Sequence, residues 1–133
     1  IASPTGQWPE AIHPATGGGC MGDGHHVWAA AEWILMLRHC FVREEGEALV
    51  LGSGIPERWL TRGQPIRFGP APTSFGPVSL CIRPRPGDTP VFEWHGEWRD
   101  QAPRLEIRLP GFEAISTEGD RGEVPLTLRE SSR

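Results

Sequence analysis

The sequence predicts an α+β chain, one long buried helix followed by an antiparallel β-sandwich, on three observations. A near-continuous apolar run from Val27 to Leu37 is interrupted only by Glu32, and a helix without a polar face needs cover on most sides. From Glu47 onward the pattern changes to short apolar or alternating runs punctuated by Gly and Pro, a sandwich's rhythm. At 133 residues the chain is one typical domain, or the end of a larger one, with room for a modest core. The change of pattern divides it into residues 1–45 and 46–133.

Residues 1–24 read as loop, carrying Pro4, Pro9, Pro14 and the run Gly17-Gly18-Gly19. Asp23 stands where it can cap a helix that begins near Gly24 or His25 and runs to about Arg43 or Glu44. His25, His26, Glu32, Arg38 and His39 bracket or break the apolar run, which makes it a core helix rather than a membrane span. Strands are predicted at Ala48 to Leu51, Ile66 to Phe68, Val78 to Arg83, Val91 to Trp98, Leu105 to Leu109, Glu113 to Ser116 and Val124 to Leu128. In VFEWHGEW, Phe92, Trp94, Gly96 and Trp98 alternate with Val91, Glu93, His95 and Glu97, placing the aromatics on one buried face. IPERWL, residues 55–60, reads as a single helical turn with Pro56 at an early position, where its missing N–H does no harm.

Composition narrows the function classes. The net charge of −4 and the absence of a basic run argue against a nucleic-acid footprint. Every basic residue is Arg, and Lys, Asn and Tyr do not occur, a pattern of codon bias in a GC-rich, bacterial-type genome. Cys20, Cys40 and Cys81 are odd in number and form no CxxC pair, so a reducing, cytoplasmic compartment fits best. The N-terminus has neither a basic n-region nor an apolar h-region. It opens mid-loop without an initiator Met, and the chain therefore reads as the end of a longer protein.

Chemistry concentrates between Trp8 and His26. In WPEAIHP, the aromatic wall of Trp8 and the imidazole of His13 flank Glu10, a setting that can turn a carboxylate into a proton acceptor or donor. The stretch GGGCMGDG could cradle an anion at a helix start, although no GK[ST] follows, and close backbone passage is the simpler use of its glycines. His13, Cys20, Asp23, His25 and His26 form a ligand-rich cluster, but adjacent helical residues point about 100° apart, so no metal or other cofactor is expected. Glu32, costly to bury alone, is expected to meet an Arg or a backbone donor. Trp59, Trp94 and Trp98 could stack on sugars, with core packing favoured by the alternation.

Gln7-Trp8-Pro9-Glu10, the Gly-rich loop, HHVWAAAEWILML and GIPERWLTRGQPIRFGPAPTSFGPVSLCI together resemble the C-terminal end of (α/α)6-barrel glycosidases of the glucoamylase and glycogen-debranching type. More loosely they resemble the related sugar phosphorylases. The resemblance implies that residues 1–45 are the terminal loop and last helix of an α/α barrel, and that an oligosaccharide or polysaccharide is the partner. It implies that Glu10 is the general base that activates water in an inverting hydrolysis of an α-glucosidic bond. Trp8 would line the sugar subsite, with His13 and His26 as further substrate-binding candidates. Ala11 stands where the glucoamylase pattern PEQ has Gln.

An inverting pair needs two carboxyl groups about 6.5–9.5 Å apart. The nearest candidates, Asp23 and Glu32, read as a cap and a buried helix residue. The general acid is thus expected in an N-terminal barrel region outside this chain, leaving these residues catalytically silent alone. Three alternatives stay open: a non-catalytic glycan-binding module, which needs Trp94 or Trp98 at the surface; a structural module whose apolar helix docks a partner; and a metal-dependent hydrolase.

Overall fold

A computed structural model describes residues 6–21 and 25–130 of the chain. They fall into two compact units, Ile1–Leu37 and Arg38–Arg133, each described by itself. The α+β class and the predominance of antiparallel strands follow the sequence expectation.

In the first unit a short antiparallel pair joins β1 (Ala11–Ile12) to β2 (Gly19–Met21). The connection is closed by the Gly17 N–H donating to the His13 carbonyl and the His13 N–H donating to that of Gly18, both at 2.8 Å. Gly19 is glycine for a steric reason: a Cβ there would sit 2.8 Å from the Pro9 Cβ. The glycine run is therefore in part a return strand packed tightly on the WPE segment. Asp23 lies outside the described residues.

Helix α1 (Val27–Phe41) starts later and ends earlier than its composition suggests. His26 supplies the cap, its Nδ1 accepting the Ala29 N–H at 3.3 Å while its carbonyl accepts the Ala30 N–H at 3.1 Å, the pairing that satisfies otherwise orphaned amides. Arg38 and His39 occupy the last turn, where positive charge complements the helix dipole. Among the described residues the helix is not buried. Val27 is 79% exposed and Ile34 68%, with Trp28, Leu35 and Met36 also open, and Phe41 alone is fully covered. Among the described residues no helix is long and apolar enough to cross a membrane.

In the second unit the chain passes from Phe41 straight into β3 (Val42–Glu45), which pairs antiparallel with β4 (Ala48–Leu51). The one-turn helix α2 (Glu57–Leu60) follows, with Pro56 at its N-cap. β5 (Ile66–Ala71), β6 (Val78–Arg85) and β7 (Asp88–Gly96) form an antiparallel meander, extended by β10 (Arg121–Pro125) at the open edge of β7. β8 (Arg104–Ile107) and β9 (Ile115–Thr117) complete the other sheet, giving the orders β10-β7-β6-β5 and β3-β4-β8-β9.

One pairing departs from the antiparallel expectation. β4 and β8 run parallel, Leu49 opposite Leu105 and Leu51 opposite Ile107, because the whole β5–β7 meander forms the crossover between them. All four residues of β4 are buried, as suits a strand covered on both faces.

The core follows strand alternation. Val78, Leu80, Ile82, Phe92 and Trp94 fill one face of the meander, while Leu49, Leu51, Leu105, Ile107 and Val42 are fully enclosed in the other sheet. Phe41 stacks on Phe68 at 4.4 Å and lies against Trp59 at 6.2 Å. On the outward face of the meander Arg83 pairs with Glu93 and, at 3.4 Å, with Glu123.

Polar contacts tie β3 to the turn between β5 and β6. The Ser74 hydroxyl donates to Glu44 Oε2 at 2.6 Å, the Ser74 N–H donates to Oε1 at 3.2 Å, and Arg38 lies 3.5 Å from Oε1. These bonds, the Ser74 hydroxyl foremost, outweigh partial burial and hold the Glu44 carboxyl below its usual pKa. The folded state therefore gains stability from Glu44 above the ordinary carboxylate range and loses it as pH falls through the lowered value. Ser74→Ala is expected to move Glu44 back up, read as a later carboxyl carbon-13 titration midpoint. An unchanged midpoint would assign the shift to Arg38 instead.

Candidate functional site

The first unit contains a hollow of about 340 Å³ lined by Glu10, His26, Trp28, Ala29 and Glu32. Two elements build it: the segment after Pro9 carries Glu10, and the first turns of α1 carry the rest. The His26 N–H bonds the Trp8 carbonyl at 3.0 Å and joins the two, while the Glu10 N–H bonds the Met21 carbonyl of β2 at 2.9 Å. Trp8 also bridges His25 in a single parallel β-bridge.

His26 Nε2 lies 3.6 Å from Glu10 Oε2, with side-chain exposures of 24% and 41%. The other ring nitrogen already accepts the Ala29 amide. A neutral imidazole carries its proton on one nitrogen only, so this cap places the N–H on Nε2, facing the carboxylate.

Glu32 is exposed, and it accepts the Trp28 indole N–H at 3.3 Å one helical turn away. This replaces the buried Glu32 with an Arg or backbone partner that the apolar run suggested. Spacing of i to i+4 puts both side chains on one helix face, and that face borders Glu10.

The remaining candidates are placed differently. Trp8 packs edge-on against Trp33 at 5.7 Å, so the hollow's own aromatic wall is Trp28. His13 sits in the β1–β2 turn, where its Nδ1 accepts the Ala15 N–H at 3.3 Å. His25 turns to Gln7, 2.9 Å away. Among the described residues no group of three or more His, Cys, Asp or Glu gathers as metal ligands do.

Core packing, which the alternation favoured over a sugar platform, is what Trp94 does. Trp94 is 6% exposed and Trp98 is half-buried, and both indoles donate to the Gly119 carbonyl at 3.3 Å. Their rings lie over glycines: a Cβ on Gly122 would approach the Trp94 ring to 2.3 Å, and one on Gly96 would approach the Trp98 ring to 2.0 Å. Comparison with protein-family models, with curated proteins and with solved structures finds no match.

The hollow can therefore offer two carboxylates, an imidazole N–H and an indole face to one small polar ligand. The sequence reading took Trp28 as part of the apolar run and Glu32 as a buried helix residue, although their four-residue spacing just beyond His26 was the signal that could have joined them to the site.

Proposed function

We propose that this chain contributes the general-base side of a carbohydrate site, as the C-terminal portion of an inverting hydrolase of α-glucosidic bonds. The observation that carries the reading is the convergence of Glu10, His26, Trp28 and Glu32 on one hollow. An aromatic face suits the C–H face of a pyranose, and an accessible carboxylate beside it suits activation of water. Glu32 already accepts an indole N–H, so the general acid is assigned to a barrel region outside these residues.

The exposed apolar side chains of α1 support the same reading, since barrel helices cover one another's flanks. Val27, Ile34 and Met36 would be covered in this way, and the two four-stranded sheets would pack as an accompanying β-sandwich. The residues alone are expected to be catalytically silent.

The test is the intact mass of the purified protein that carries this sequence, with its activity on maltooligosaccharides followed by proton NMR. The expected result is a protein well above 14.7 kDa that releases β-anomeric product first, as inversion of an α-linkage requires. A protein of about that mass, inert on sugars, or one releasing the α-anomer first, would overturn the proposal.

A further inference from the structure

The geometry points to His26 as the residue that positions Glu10, a role distinct from contacting sugar, and this inference rests on the general-base reading above. One hydrogen bond and one close approach, made by the two nitrogens of one ring, carry it. Nδ1 is committed to the Ala29 amide at the start of α1, which fixes both the tautomer and the plane of the imidazole. Nε2 is then an N–H donor 3.6 Å from Glu10 Oε2, a separation at which a catalytic contact in an unliganded site commonly stands before it tightens.

Among the described residues, Glu10 is the carboxylate paired with that donor. Glu32, the other carboxylate of the hollow, is engaged by Trp28, and the neighbouring His25 faces Gln7. The backbone reinforces the arrangement, because His26 N–H bonds the Trp8 carbonyl two residues before Glu10. The helix cap and the carboxylate are thus one mechanical unit: what starts α1 also aims the base.

The two ring nitrogens can be separated by substitution. His26→Asn keeps a good N-cap acceptor for Ala29, but its shorter side chain leaves no N–H at the Nε2 position. His26→Gln restores an N–H at that reach. In the full protein that carries this chain, His26→Asn is expected to fold with near-wild-type melting behaviour and KM, while kcat falls about 10–100-fold, the order of loss for a misaimed reacting group. His26→Gln should recover a large part of that loss.

Nitrogen-15 NMR of the neutral ring of wild-type His26 should show a bare Nδ1 and a protonated Nε2. A protonated Nδ1, an unchanged kcat in His26→Asn, or a raised KM with unchanged kcat would overturn the inference, the last by making His26 a sugar contact. Glu10→Gln separates the two failures. Full activity in that variant sinks the general-base reading itself, whereas loss of activity there alongside an unaffected His26→Asn sinks only the positioning role.

Discussion

Glu10→Gln in the protein that carries this chain is expected to lower kcat on maltooligosaccharides by about 10²–10⁴-fold, the usual weight of a general base, with KM changed little. The amide preserves the shape and one acceptor oxygen of the carboxylate but takes no proton from water. The surroundings make this a clean test. Glu10 is partly open to solvent, and its backbone is held by the bond from its N–H to the Met21 carbonyl, so the substitution removes chemistry while keeping the backbone in place. Glu32→Gln is the internal comparison: a carboxylate already bonded to Trp28 and not proposed as the acid should cost only severalfold. A larger effect at Glu32 than at Glu10 would reverse the assignment of the base.

The second large effect concerns stability. Trp94→Ala is expected to cost about 3–5 kcal/mol, as truncating a buried aromatic does, and Gly122→Ala about 1–3 kcal/mol through overpacking. The two act on the same space, because the Gly122 Cβ would fall 2.3 Å from the Trp94 ring. The double variant should therefore lose clearly less than the sum, since the added methyl enters the room the indole vacated. Denaturant melts of the four proteins give the coupling. Additive losses would show that the ring is not what Gly122 accommodates, and an unaffected Trp94→Ala melt would return Trp94 to the list of ligand-facing residues.

What was legible in the sequence was whatever depends on near neighbours. Ala48 to Leu51 was readable as a strand because four apolar residues between turn signals allow little else, and the VFEWHGEW alternation correctly turned Phe92 and Trp94 inward. β3 was hidden because Val42-Arg43-Glu44-Glu45 continues an apolar helix without a breaker and resembles its charged tail. The cap was assigned by residue type to Asp23, which lies outside the described residues, and nothing in the sequence marked the His26 ring as the acceptor of the Ala29 N–H.

Partners distant in sequence were not legible. Nothing local marks β4 and β8 as neighbours, or their direction as parallel. The same holds for the site. WPEAIHP drew attention to Glu10, but Glu32 was assigned to a core because its neighbours are apolar, and burial depends on what covers a helix rather than on its composition. Gly96 and Gly122 carried an available signal, since glycine inside a strand marks close approach of another group.

The parallel pairing of β4 with β8 also dictates an order of events during synthesis. Leu49 and Leu51 are completed early by the ribosome, yet their partners Leu105 and Ile107 emerge only after the entire β5–β7 meander. Contacts so far apart along the chain form late, after local hairpins have closed. The nascent chain thus holds a fully apolar strand with one side unsatisfied while the meander folds beside it. That interval is when this protein is most exposed to aggregation, and slowing translation across residues 96–107 would lengthen it.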